Sequence, residues 1–129
     1  MGDELTWPIE EIPDSDSVFM RAHRGHFRNG ELQPGVFRAH GSGMSVNWAK
    51  YSSAEETRQQ ATKKPEDNAV ISILVAGIRK IGVLRVEHSP EPSNRAHSDV
   101  LGLENREHLT EARILLLRIK TIVIPLPPK

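Results

Sequence analysis

The chain has 129 residues, with 17 lysines and arginines against 17 aspartates and glutamates, and no cysteine. That length suits one core, and the balanced charge leaves no global field to draw the chain onto nucleic acid or an anionic membrane. The missing cysteine excludes disulfides, thiolate metal sites and cysteine nucleophiles.

Residues 1–17 carry six acidic side chains, no basic one and prolines at 8 and 13, and read as an acidic arm that cannot fold alone. Trp7, Ile9 and Ile12 within it predict partial docking on the domain or on a partner. No leader-like segment opens the chain and no apolar run reaches the roughly 18 residues of a membrane span, so the expectation is a soluble, cytoplasmic protein with no membrane partner. Gly2 and Thr6 match the myristoylation pattern, but Asp3 and Glu4 beside them favour a chance match.

Residues 18–124 read as one domain. Val18–His23 alternates as a first strand with Phe19, Arg21 and His23 on one face. From Arg24 to Gly43 turn residues dominate; Asn29-Gly30 predicts a tight hairpin, and Val36–His40 a short returning strand. Met44–Trp48 is β-like, and Ser53-Ala54-Glu55-Glu56 is a capping box that should open an exposed helix to about Lys63.

Ala69–Val75 is rich in β-branched residues, as a central strand should be. Ile78–Ile81 fits a helical turn or a hairpin end equally well. Val83–His88 alternates; if Leu84 and Val86 face the core, His88 follows them to its rim. A proline loop from Ser89 to Asn94 leads to a short run at Ser98–Leu101. Leu109, Ala112, Leu116 and Ile119 recur at helical spacing and predict a packed helix, followed by Thr121–Ile124 as β and a proline-rich tail at 125–129. The expected fold is α+β: a mixed or mostly antiparallel sheet, a packed C-terminal helix and an exposed middle helix.

Histidines are the sharpest chemical feature. His23, His26, His88 and His97 could meet at one sheet edge, enough for zinc, although no metal-binding spacing is present and no metal is assigned. Two of them, His88 and His97, would suffice as acid and base on a phosphodiester, with Arg21 or Arg95 steadying negative charge. The plainer alternative is that the histidines bond to backbone. Arg21, Arg24, Arg28 and Arg38 interleave with Phe19, Phe27 and Phe37, a composition that single-stranded RNA or DNA binding uses; the competing reading puts the rings in the core and pairs the arginines with the acidic arm. On a third view the arm mimics nucleic acid and shields that patch. Gly41-Ser42-Gly43 beside His40 lacks the serine-hydrolase elbow, and no phosphate-loop pattern occurs. Arg-Ala-His occurs at 21–23, 38–40 and 95–97. In a strand each copy could present a cation and an imidazole together, though coincidence in an arginine-rich chain carries more weight.

The segments SVNWAKYSSAEETR (45–58), NAVISILVAGIRKIGVLRVEHSP (68–90) and NRAHSDVLG (94–102) resemble those of small bacterial proteins of unknown function. The resemblance implies a stand-alone bacterial cytoplasmic protein and carries no activity. Met20–His26 is similar to the Arg-Ala-x-x-Gly-His run of RNA 2′-phosphotransferases, but the residue before glycine differs, no His-Gly-Thr segment follows and the chain is short. The leading expectation is a binding or accessory protein with Arg21, His23, Asn47, Asn94 and Arg95 at its contact rim beside His88 and His97. A protein partner ranks before RNA or single-stranded DNA, and no cofactor is assigned. The alternative is a metal-independent, histidine-based phosphodiester or nucleotide enzyme on the same rim.

Overall fold

The sheet is built on β5 (Asn68–Leu74), buried from Asn68 to Ile71 and again at Ile73, as an apolar strand covered on both faces should be. It pairs over seven rungs with β1 (Ser17–His23) and on its other side with β8 (Thr121–Ile124). The structure is a computed structural model that describes residues 6–128; Gly2 and its lipidation pattern lie outside the described residues. With β4 (Gly43–Trp48), β6 (Arg85–His88) and β7 (His97–Leu101) the strands form a six-stranded antiparallel sheet in the order β6-β7-β4-β1-β5-β8. Together with α3 (Leu109–Ile119), whose Ala112 and Leu116 are buried, this is an α+β domain with a packed C-terminal helix. Among the described residues no helix is long and apolar enough to cross a membrane.

Period-two alternation sorts the two sheet faces. Val18, Met20 and Ala22 of β1, and Val46 and Trp48 of β4, enter the core; Phe19, Arg21 and His23 occupy the other face together with Ser45 and Asn47. The predicted hairpin forms as β2 (Phe27–Arg28) and β3 (Glu31–Leu32), closed by Asn29 and Gly30, both at positive φ, the turn that Asn-Gly favours. The capping box also forms: Ser53 and Glu56 exchange side-chain to backbone bonds at 3.0 and 2.9 Å at the start of α1 (Ala54–Gln59).

Several expectations are corrected. Val36–His40 is not a strand; Pro34–Val36 makes a tight turn, and Val36 and Phe37 are buried, with Arg113 donating to the Phe37 carbonyl at 2.7 Å. Core burial overrides local β preference there. The middle helix ends at Gln59 rather than near Lys63, because Arg58 reaches onward to the carbonyls of Pro65 and Asn68. It is exposed except where Thr57 packs down onto the sheet. Val75 opens a short helix, α2 (Val75–Arg79), instead of ending the strand: its N–H and that of Ala76 donate to the carbonyls of Asp16 and Asp14. That contact resolves the Ile78–Ile81 ambiguity in favour of a helix.

The same contact shows how residues 6–17 are held. Ile12 is 2% exposed within the core, the indole N–H of Trp48 donates to Asp16 at 2.8 Å, and Arg79 bonds the Ile12 carbonyl and the Asp14 carboxylate, both at 2.7 Å.

Candidate functional site

Two rungs join β1 to β4, Val18 opposite Trp48 and Phe19 opposite Asn47, whereas β1 stays paired to β5 to its end. Past Phe19 the two strands part. The segment 24–42 that links them forms one wall of the opening, and the outcome is a cleft of about 750 Å³ that opens on the polar sheet face and reaches between the strands to the core residues Met20, Met44 and Val46. Alternation carries Arg21 and His23 into it from β1, Ser45 and Asn47 from β4, and His97 from β7. The wall adds His26, Arg38 and His40, and the loop before β7 adds Ser93 and Asn94. Glu91 is the single carboxylate among these lining residues.

The amides hold the cleft in shape. Asn47 is buried; its Nδ2 donates to Thr57 Oγ1 at 3.1 Å and to Gln60 Oε1 at 2.9 Å, and its Oδ1 accepts from Asn94 Nδ2 at 2.8 Å. Arg21 donates to the Thr57 carbonyl at 2.8 Å, and burial draws its guanidinium below the ordinary value. These bonds fasten α1 and the 89–96 loop to β1 and β4.

The histidines are differentiated. His23 Nδ1 accepts from the Gly25 N–H at 3.0 Å, so its proton sits on Nε2. His26 is held below the ordinary imidazole value by burial first, then by the neighbouring charges of His23 and Arg38. His97 Nδ1 lies 2.8 Å from the Ser89 carbonyl, which only accepts, so the proton is on Nδ1 and Nε2 turns its lone pair to Ser45 Oγ at 3.1 Å.

Of the residues chosen from sequence, Arg21, His23, Asn47, Asn94 and His97 converge on this cleft, while His88 and Arg95 do not. His88 stands opposite Ser98 in the ladder and shares the core face with Val86, one register step from the face of His97. Its ring is 3% exposed, edge-on to Trp48, with Nδ1 accepting from Glu10 N–H and Nε2 donating to the Arg95 carbonyl. Arg95 is sandwiched between Trp7 and Tyr51, beside Glu10. The acid–base pair His88 and His97 is therefore divided by the sheet.

The four-imidazole zinc grouping does not assemble for the same reason, and among the described residues no three potential ligands cluster. The arginine patch disperses: Arg24 pairs with Asp67, Phe37 is core, and Arg21 and Arg38 face the cleft. Among the described residues of the arm, Glu10 engages Lys50 and Arg95 and Asp14 engages Arg79, none of them in the arginine patch; Asp3 and Glu4 lie outside the described residues.

Sequence reading assigned no role to Ser45 or Gln60 and left His40 out of the contact rim, having weighed it only in the repeated tripeptide and beside Gly41-Ser42-Gly43. The signal that leads to His40 is the repeated Arg-Ala-His: Arg21, His23, Arg38, His40 and His97 all line the cleft, and Arg95 alone turns away. Comparison of the chain with protein-family models, with curated proteins and with solved structures finds no match.

Proposed function

We propose that this chain is a small binding protein, bacterial and cytoplasmic, whose cleft takes a phosphate-bearing ligand of nucleotide size. One observation carries the reading: Arg21, His23, His26, Arg38, His40 and His97 line the cleft against Glu91 alone. Guanidinium and imidazole groups gathered with so little opposing charge favour an anion, and arginine suits phosphate in particular. The site is concave, which fits a small molecule or the end of a single strand better than the broad surface a folded protein partner needs.

The test is an NMR titration of the six imidazoles with inorganic phosphate and then with a nucleoside monophosphate. Saturable shifts at His23, His26, His40 and His97, with His88 and His108 still, are expected. Shifts spread evenly over all six, or none at millimolar ligand, would defeat the reading.

A histidine-based phosphodiester enzyme in the same cleft is the second reading. It is favoured by the tautomer of His97, whose Nε2 lone pair faces the cleft and can accept a proton; His23, in the same cleft, would serve as the acid in its imidazolium form.

A further inference from the structure

Ser45 lies exposed on β4 with its Oγ 3.1 Å from Nε2 of His97. Because the other ring nitrogen donates to the Ser89 carbonyl, the lone pair that faces the serine is the one a general base needs. Ser89 is fixed in turn, its hydroxyl donating to Asp99 Oδ2 at 2.7 Å. Asp99 can lie against β4 only because position 43 is glycine; a Cβ there would stand 2.9 Å from Asp99 Oδ1. Nδ1 of His97 also lies 3.1 Å from Ser89 Oγ, so the carboxylate of Asp99 supports the base through that hydroxyl and not by the direct bond of a catalytic triad.

The backbone adds an oxyanion donor. Trp48 N–H donates to the Ala96 carbonyl on the β7 side, and Ala49 N–H to the Ser17 carbonyl on the β1 side. Alternation then directs the even-numbered residues of β4 towards β7 and the odd-numbered ones towards β1. Ser45 is odd, and the rung that would place it opposite Arg21 is the one the β1–β4 ladder leaves out. Its N–H therefore faces the mouth of the cleft beside its own hydroxyl, where a nucleophile's amide stabilises a tetrahedral oxyanion.

We propose that Ser45 is the nucleophile of an acyl-transfer site, with His97 as its general base, acting on carboxylic esters that carry an anionic group; the anionic requirement rests on the cleft reading above. Nε2 of His97 takes the Oγ proton as Oγ adds to the ester carbonyl carbon. The tetrahedral oxyanion collapses, the bond to the alcohol oxygen breaks, and that oxygen leaves with the proton from Nε2. Water, giving its proton to the same nitrogen, then attacks the acyl-serine, releasing the carboxylic acid and restoring the hydroxyl.

The full chain is treated with a neutral fluorophosphonate, which bonds phosphorus to an activated serine Oγ with loss of fluoride, and the adduct is located by peptide mass spectrometry. A single adduct at Ser45 is expected, absent from Ser45→Ala and formed about 100-fold more slowly in His97→Gln, the order of a lost general base. Asp99→Asn, a milder change, should slow labelling less, and cooperative thermal melts show that both variants are folded. No adduct, an adduct at another serine, or a rate indifferent to both variants overturns the nucleophile. In parallel, hydrolysis of 4-nitrophenyl succinate is compared with that of the neutral butyrate: kcat/KM should favour the anionic ester about tenfold, the scale of one charged hydrogen bond, and Arg38→Gln should erase the preference. Ser45 labelling without that preference overturns the anionic substrate class and leaves the nucleophile standing, so the two failures are separable.

Discussion

The backbone N–H of Glu10 donates to Nδ1 of His88 at 3.0 Å, which leaves Nε2 to donate to the Arg95 carbonyl at 2.7 Å. One buried ring thereby joins the N-terminal segment, the β6 strand and the loop before β7. His88→Ala removes an aromatic neighbour of Trp48 and Tyr51 and leaves two backbone groups without partners. We expect a loss of about 3 kcal/mol, cavity and unmet hydrogen bonds together, read from urea unfolding. A loss below about 0.5 kcal/mol, the level of a neutral surface change, would show that His88 ties nothing.

Acid should release the N-terminal segment. Lys50 and Tyr51, by hydrogen bonds, hold the Glu10 carboxyl below its ordinary value of 4.5. A depressed carboxylate binds fewer protons in the native state than in the unfolded one, so the stability it contributes is present above 4.5 and is lost as pH falls through the lower folded value. Trp7, which stacks on Arg95, should report the release as a fluorescence change in that window, and Glu10→Gln should flatten the profile. An identical profile in the variant would assign the acid transition to other carboxyls.

Much of this architecture is legible from local pattern. The alternation of Val18–His23, the Asn29-Gly30 turn and the Ser53–Glu56 capping box each specify short-range geometry, and each forms as read. What pattern cannot supply is register between distant strands. His88 and His97 flank one loop, yet His88 pairs opposite Ser98, and that single step puts the two rings on opposite faces of the sheet. The cleft is hidden for a related reason: it exists because the β1–β4 ladder stops after Phe19 and Asn47, an absence with no sequence mark. The short helix at Val75 likewise depends on carbonyls of Asp14 and Asp16, about sixty residues away.

Asn47 should prove a structural strut and not a ligand contact. Its amide hydrogens are both committed, to Thr57 and Gln60, and its oxygen to Asn94. Asn47→Ala takes the main partner from the half-buried Asn94 amide and one bond each from buried Thr57 and exposed Gln60, a cost of about 2 kcal/mol, whereas Gln60→Ala should cost less than about 1 kcal/mol. Thermal or urea unfolding of the two variants decides the ranking, and an Asn47→Ala protein as stable as the native one would return this amide to the list of free contact groups.

Anion binding should tighten as pH falls, with His26 as its main sensor. Burial, then His23 and Arg38, keep the His26 imidazole below its ordinary value of 6.5. The native state therefore binds fewer protons there than the unfolded state, and without ligand the domain loses stability as pH drops from 6.5 towards the lower folded value. An anion in the cleft offsets the repulsion from His23 and Arg38 and favours the imidazolium, so binding must take up protons. Sulfate is the better probe, because its own charge is constant across this range and phosphate's is not. Calorimetry in two buffers of different ionisation enthalpy should show net proton uptake near neutral pH, and His26→Gln should reduce it while leaving the fold intact. Sulfate affinity that does not change with pH, or proton uptake unchanged in His26→Gln, would remove His26 from the site and leave Arg21 and Arg38 as the anion's principal partners.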